Sequence, residues 1–179
     1  MKAEGVEIAA SIGFELAEMF GGEEAGRLDF SFLGNMYLSN EYQNAPTSEV
    51  VDCLGHYGNA CGDVTHEYRW VQRTTYTIGD LSVSALWRHL SEVTIIPDES
   101  AALFSGFRKI GAYDYLDLAV TYQILEEAGL TFAATNVFDR DPPIIGNTTG
   151  PTDINSGNTF PSNYDSVGTV YSLGVNLRF

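Results

Sequence analysis

The two cysteines are the residues of this chain with the most recognisable chemistry. Cys53 and Cys61 are the only cysteines, and a short stretch rich in Gly and Asn separates them. Two cysteines this close in a loop predict a local disulfide in an oxidising compartment, with a stabilisation of roughly 2–3 kcal/mol in the chain-entropy model. Two free thiols are one alternative. A metal site that includes His56 and His66 is the other, although zinc would require four ligands.

The other titratable side chains form no arrangement that is typical of catalysis. The three histidines, His56, His66 and His89, are scattered, with no nucleophile at a recognisable spacing, and no Gly-rich phosphate loop follows a strand. Some loop carboxylates could hold a cation, but their spacing matches no calcium loop. These are Glu49, Asp52, Asp63, Asp98 and Glu99. We therefore expect a protein that is not an enzyme and that carries no cofactor.

Composition limits the class of protein further. The 179 residues include 24 acids and 9 bases, and the formal charge of -15 argues against a nucleic-acid partner. A 12% aromatic content, 18 glycines and only 18% charged residues favour an all-β protein. The sequence has no run of apolar residues long enough for a transmembrane helix.

The last segment of the chain has the alternation of a strand with one apolar face. Large apolar residues occupy every second position, and small or polar residues lie between them. The apolar set is Tyr171, Leu173, Val175, Leu177 and Phe179. Such a strand, ending on an aromatic, is typical of a transmembrane barrel, in which apolar side chains face lipid and aromatics lie at the interface.

The same alternation occurs in six earlier segments. The seven predicted strands cover about residues 6–16, 28–38, 67–78, 83–88, 116–124, 130–138 and 171–179. Their connections alternate between short and long, like the periplasmic turns and external loops of outer-membrane barrels. We therefore predict an all-β fold, an antiparallel transmembrane β-barrel segment of about seven strands. Because bacterial single-chain barrels have an even number of strands, we expect this barrel to be incomplete.

The alternation also assigns faces to the charged and aromatic side chains. Charged residues that lie between the apolar positions should face the lumen, where they would meet water or a solute path. These are Glu7, Glu15, Asp29, Arg69, Arg73, Arg88 and Asp117. Trp70, Trp87, Tyr171 and Phe179 should lie on the lipid-facing side.

Three parts of the sequence resemble the C-terminal part of a TonB-dependent outer-membrane receptor. Asn136, Phe138 and Asp139, with Pro142 just after them, resemble the pattern at the end of the family's penultimate strand. The segment 171–179 is similar to the family's terminal strand, whose final aromatic belongs to a signal for the barrel-assembly machinery. The cysteine loop and the two strands after it are also similar, so the resemblance covers essentially the whole chain.

The resemblance implies that residues 1–179 are the C-terminal part of a receptor barrel, without its plug domain and signal peptide. Such receptors lie in the Gram-negative outer membrane, in contact with its lipid. They import scarce nutrients, such as iron–siderophore complexes, cobalamin or carbohydrates, with energy from a TonB-type transducer. For Asn136, Phe138 and Asp139, a structural role at a strand end competes with a functional one, since Pro142 would block further pairing.

Two other interpretations fit the same strands. One is a soluble β-sandwich or small barrel that binds a ligand. The other is a small stand-alone outer-membrane barrel, which would require an eighth strand within residues 91–112. The candidates for that strand are 93–96 and 103–104.

Overall fold

The computed structural model describes residues 1–21, 25–102, 105–146, 149–150 and 154–178. The strands in this part of the chain are β1 (Lys2–Glu15), β2 (Arg27–Tyr42), β3 (Val51–Asp52), β4 (His56–Tyr57), β5 (Tyr68–Ile78), β6 (Leu81–Leu90), β7 (Val93–Ile95), β8 (Lys109–Ile110), β9 (Tyr113–Leu125), β10 (Ala128–Thr135) and β11 (Val170–Leu177). One short helix, α1 (Leu16–Phe20), follows β1, and 3-10 helices cover Pro97–Ala102 and Ser105–Phe107.

Seven long strands form one antiparallel sheet, in the order β1-β2-β5-β6-β9-β10-β11, and β3 adds a short pairing to β2. The predicted antiparallel fold and its seven strands are therefore confirmed. Among the described residues, β1 pairs only with β2 and β11 only with β10, so the sheet does not close. This open sheet fits the expected incomplete barrel.

Short turns join the strands at one end of the sheet. Gly79 and Asp80 connect β5 to β6, and Gly79 has φ 51°, the left-handed conformation that tight hairpin turns require. The first connection differs from the prediction, because Leu16 starts α1 and does not continue the strand. Its amide donates to the carbonyl of Gly26 across the hairpin (2.9 Å), and residues 22–24 of the predicted turn lie outside the described residues.

Several predicted strand ends also need correction. β1 begins at Lys2, β2 ends at Tyr42 and β9 begins at Tyr113, so all three extend beyond their predicted bounds. β6 is longer than predicted and runs from Leu81 to Leu90. β10 ends at Thr135, so Phe138 lies in the turn that follows and not on the strand. The amide of Asn136 donates to a side chain, the Asp117 carboxylate (2.8 Å), where a continuing ladder would need a backbone acceptor.

The register gives the sheet one apolar and one polar face. Residues directly opposite each other on paired strands share a face, and the pairs Phe32–Gln72, Gln72–Trp87 and Trp87–Leu116 continue across four strands. The same register extends to Tyr171, Leu173, Val175 and Leu177 on β11. Trp70, Trp87 and Tyr171 therefore lie on this apolar face, as predicted, whereas Phe179 lies outside the described residues.

The polar face carries all seven of the charged residues that were predicted to share a side. Asn35 lies opposite Arg69, Val71 opposite Arg88, and Arg88 opposite Tyr115. The apolar face remains solvent-accessible along its length, with exposed fractions of 47% for Trp87 and 68% for Tyr171. No strand of the described residues covers it, so the two-layer arrangement of a soluble sandwich is not found.

The buried core of the molecule lies in the three long connections, at the opposite end of the sheet from the short turns. We call them loop A (residues 43–67), loop B (91–112) and loop C (136–169), and their described parts together the cap. Tyr57 and Val64 of loop A pack with residues from both other loops. Those residues are Val93, Ile95 and Ile110 of loop B and Ile145, Phe160 and Tyr164 of loop C.

A small second sheet organises this cap. β4 of loop A pairs in parallel with β7 of loop B, and β7 pairs with β8. The segment 93–96, a candidate for an eighth barrel strand, thus belongs to the cap core and not to the large sheet. The other candidate, 103–104, lies outside the described residues. Within the described ranges, no helix is both long and apolar enough to cross a bilayer.

Candidate ligand-facing surface

Three arginines lie close together on the polar face of the sheet, just below the cap. Arg69 and Arg73 are four residues apart on β5, so they share a face, and Arg88 of β6 lies opposite Val71 between them. These are three of the 9 basic residues in a chain of net charge -15. The sheet thus places three guanidinium groups on one part of its polar face.

Arg88 is the centre of a charged network that joins loop C to the sheet. Its guanidinium donates two hydrogen bonds to Asp117 of β9 (2.9 and 3.1 Å) and two to Asp165 of loop C (3.1 and 2.6 Å). It also lies over the ring of Tyr115, 4.8 Å from the centroid. With two carboxylates already bound, Arg88 has a structural role and leaves little capacity for a ligand.

Arg69 is the arginine of this group that lines a cavity without a partner among the described residues. Its side chain is exposed, and it makes no hydrogen bond or ion pair to any described residue. It lies on the wall of an open cavity of about 300 Å³ between the sheet and loop C. Among the other lining residues are Asn35, Arg88, Tyr115 and Asn163. A guanidinium, two amides and an aromatic ring can bind an anionic or polar group by hydrogen bonds and stacking.

Polar contacts between the loops hold together the cap above this cavity. The Glu99 carboxylate of loop B accepts hydrogen bonds from the amides of Asn59 (2.9 Å) and Ala60 (3.1 Å) of loop A. The Asp63 carboxylate of loop A accepts from the hydroxyl of Ser162 (3.1 Å) and the amide side chain of Asn163 (2.7 Å) of loop C. Glu99 and Asp63, which the sequence offered as candidates for binding a cation, therefore have a structural role, because they hold the loops together.

The cysteines and His66 lie in the same cap. A disulfide joins Cys53 and Cys61 across loop A, with 5.6 Å between the Cα atoms. His66 is 3% exposed, and its Nδ1–H donates to the carbonyl of Ser91 in loop B (2.6 Å). Burial is the main cause that lowers the pKa of His66, and it raises the pKa of Tyr57 to about 12.

The residues of the Asn-x-Phe-Asp pattern form a tight turn at the end of β10. Asn136 is buried, and its side chain exchanges two hydrogen bonds of 3.0 Å with the backbone of Arg140. The Asp139 carboxylate accepts from the amide of Thr169 (2.9 Å), which precedes β11. Asn136 and Asp139 both have φ 52°, and Pro142 follows in irregular backbone. In this geometry the two polar residues close the turn, whereas Phe138 points away from it with 75% of its surface exposed.

The sequence-predicted residues are thus brought together only in part. The polar-face arginines and Asp117 meet below the cap, whereas the cysteines, the turn at Asn136 and the apolar set of β11 lie apart from that cavity. Sequence reasoning missed Tyr115, Asn163 and Asp165. No local signal could have found the last of these, since 77 positions separate it from Arg88.

The described residues contain no group of three or more His, Cys, Asp or Glu side chains that could hold a metal ion. The predicted alternative of a metal at the cysteines does not fit, because both sulfurs are in the disulfide and His56 Nδ1 contacts the backbone carbonyl of Thr94. The chemistry that this surface offers is therefore binding through hydrogen bonds, charge and stacking.

No protein-family model and no curated protein matches this sequence. Among solved structures, a double mutant of the ferric enterobactin receptor of Pseudomonas aeruginosa is similar, with a TM-score of 0.59 and 18% identity over 99% of this chain. The match covers 22% of the receptor chain, so this chain spans less than a quarter of its length. Another mutant of that receptor gives a TM-score of 0.46 and 13% identity, covering 98% of this chain and 31% of the other. The chain therefore has the fold of a segment of a receptor β-barrel, as predicted.

Proposed function

We propose that this chain is the C-terminal part of the barrel of a TonB-dependent receptor that imports a nutrient across the Gram-negative outer membrane. In the complete receptor, its partners would be outer-membrane lipid, the barrel-assembly machinery, a TonB-type transducer and the nutrient. The apolar set of β11 would supply the assembly signal. The observation that carries the proposal is the two-faced sheet, which has an apolar face of unburied side chains and a polar face of interacting charges.

The exposed apolar face supports a lipid environment. A soluble domain seldom exposes a contiguous apolar surface of this extent, and a barrel strand requires one. The exposed fractions of Ile8, Leu118 and Leu173 are 58%, 38% and 70%, although all three lie in the middle parts of long strands. The three loops at one end and the short turns at the other match the external and periplasmic sides of an outer-membrane barrel.

Paired cysteine substitutions test the lipid assignment. Leu118→Cys and Ala119→Cys place a thiol on the apolar and the polar face of the same strand, and the native disulfide leaves no other free thiol. With a nitroxide on each thiol and the chain in lipid vesicles, we expect position 118 to be accessible to oxygen and position 119 to a water-soluble nickel complex. Equal accessibility of both positions to the nickel complex would refute a membrane-spanning sheet.

The ligand assignment rests on Arg69. We propose that its guanidinium binds an anionic group of the nutrient, and ferric enterobactin, the ligand named for the structural neighbour, is the first probe. Quenching of tryptophan fluorescence by the probe would report binding to the chain in maltoside micelles. Because a hydrogen bond to a charged group is involved, Arg69→Ala should weaken binding by about tenfold or more. Arg73→Ala removes the same charge outside the cavity and is the matched control. Equal weakening by both variants would contradict a specific site at Arg69.

A further inference from the structure

A second cavity lies on the apolar face, at the upper end of the strands. It is open, has a volume of about 360 Å³, and is lined by Trp87, Asp114, Tyr115, Leu116 and Phe138. Asp114 is the second residue of β9, so the cavity lies where the sheet meets the cap. The cavity thus places a carboxylate beside exposed aromatic rings at the height where an outer-membrane barrel has its aromatic girdle.

The carboxylate of Asp114 has one oxygen that is used and one that is free. Its Oδ1 accepts hydrogen bonds from Trp87 Nε1 (2.8 Å) and His89 Nδ1 (2.7 Å). Its Oδ2 has no hydrogen bond to the described residues, and the side chain is 41% exposed. The ring of His89 is stacked on both Tyr68 and Trp70, at centroid distances of 5.7 and 5.1 Å. The charge is therefore held in a fixed position by a packed aromatic group.

No described Lys or Arg forms an ion pair with this carboxylate. The guanidinium of Arg140 donates to the backbone carbonyls of Ala112 and Asp114 and lies over the ring of Tyr113, 4.0 Å from the centroid. Tyr113 and Asp114 are consecutive in a strand, so their side chains point to opposite faces. His89 is the remaining partner, and in its neutral form it donates Nδ1–H and leaves the negative charge in place.

Phe138 and Trp87 supply aromatic faces to the same cavity. Phe138 is 75% exposed and Trp87 47% exposed. The turn that carries Phe138 is rigid, since the buried Asn136 side chain bonds both the amide and the carbonyl of Arg140. Aromatic faces next to a carboxylate oxygen with no hydrogen bond to the described residues form a suitable site for an ammonium group.

We infer that this cavity binds the ammonium group of a lipid headgroup. The inference rests on the proposed function, in which the apolar face lies in the bilayer and its upper end reaches the headgroups. A lipid with an ethanolamine headgroup would place its ammonium against Asp114 and the two rings while its acyl chains lie along the apolar strands below. Charge complementarity selects this occupant over an anionic headgroup, which the carboxylate would repel.

The test is a titration of the chain in maltoside micelles with dihexanoyl-phosphatidylethanolamine or dihexanoyl-phosphatidylglycerol. The chain has 2 tryptophans, Trp70 and Trp87, whose ring centroids are 5.1 Å apart. Because Trp87 lines the cavity, the intrinsic fluorescence reports on its occupation. We expect a saturable change with the ethanolamine lipid at a concentration about tenfold lower than with the glycerol lipid.

Two isosteric variants separate the site from general charge effects. Asp114→Asn keeps an acceptor for Trp87 and His89 but removes the charge, so the preference for ethanolamine lipid should disappear. Asp80→Asn removes the same charge at the opposite end of the sheet and should keep the preference. The proposal would be overturned if both variants lost the preference for the ethanolamine lipid, or if neither did.

Three further outcomes are decisive. If free ethanolamine saturates the same fluorescence change at the same concentration as the lipid, the assignment to a lipid headgroup is wrong. If position 118 is accessible to oxygen in vesicles but the two lipids bind equally, the headgroup site fails while the proposed membrane location stands. If position 118 is accessible only to the nickel complex, both proposals fail together.

Discussion

At the scale of single residues, Arg88 is expected to make a large contribution to stability. Its guanidinium separates two carboxylates from different parts of the chain, and the Arg88, Asp117 and Asp165 side chains are 27%, 18% and 25% exposed. Replacing it with Gln removes four charge-assisted hydrogen bonds and leaves the two carboxylates facing each other. Because the group is partly solvated, we expect a loss of about 2–3 kcal/mol in the free energy of unfolding.

Urea denaturation of the refolded chain measures this loss, and limited proteolysis reports whether loop C has detached. Arg73→Gln is the control, since Arg73 lies on the same face and makes one long hydrogen bond of 3.5 Å to Ser84. The network interpretation is wrong if Arg88→Gln costs no more than this control.

His66 makes stability depend on pH. Burial lowers its pKa in the folded state below the ordinary value of 6.5, against the opposing effects of its hydrogen bond to Ser91 and the charge of Asp63. Between the two pKa values the unfolded chain binds more protons than the folded one. Stability should therefore fall as the pH drops through 6.5 towards the folded-state pKa.

Urea unfolding at several pH values between 8 and 5 checks this prediction. The variant His66→Gln cannot titrate at this position, so its stability should decrease less over the same range. The variant His56→Gln removes a histidine from the same loop and is the matched control. The same pH dependence in all three proteins would exclude His66 as its source.

At the scale of elements, β11 offers the cleanest test of the two faces. Leu173 lies on the apolar face opposite Phe132, and Ser172 on the polar face opposite Ala133. In a bilayer, Leu173→Lys should cost about 2–4 kcal/mol if the residue lies near the midplane, whereas Ser172→Lys should cost little. The yield of folded chain in vesicles as a function of urea measures both. Similar costs for the two variants would contradict the lipid assignment.

The strands were predictable because their signal is local. In β9, the alternation of Leu116, Leu118 and Val120 with Asp117 and Thr121 determines both the strand and its two faces. The end of β10 was not predictable, because the amide of Asn136 donates to the carboxylate of Asp117, 19 positions away, and not to a backbone carbonyl of a neighbouring strand. The pairing of the short cap strands was missed for the same reason. The segment 93–96 was a candidate strand, but β7 pairs with β4 only after loops A and B have come together.

At the scale of the whole molecule, the buried core is at the end of the sheet and not between layers. Phe160 and Tyr164 lie in a segment without periodicity, and their burial depends on Tyr57 and Ile110 from the other two loops. The sequence pattern therefore predicted the sheet and the end of the sheet at which the long loops lie. It did not predict that the three loops pack into a single cap. The cavity at Arg69 could not be predicted for the same reason, because loop C forms its roof.

The two outer strands lead to a prediction about the sheet as a whole. β1 and β11 lie at the two edges, and all their described side chains are exposed. In a meander of seven strands the first and last run in the same direction, so they could close only as a parallel pair, against an otherwise antiparallel sheet. We therefore expect the chain in micelles to keep both edges open, with every second amide of β1 and β11 free of a backbone acceptor.

Amide hydrogen exchange by NMR on a monomer, verified by light scattering, tests this directly. The free amides of β1 and β11 should exchange fast and alternate with slow neighbours, whereas β5 and β6, paired on both sides, should be protected throughout. Continuous protection along β1 and β11 in a monomer would mean that the sheet closes on itself, and the chain would then be a small barrel in its own right. Alternating protection would instead show edges that require further strands, as expected for a segment of a larger receptor barrel.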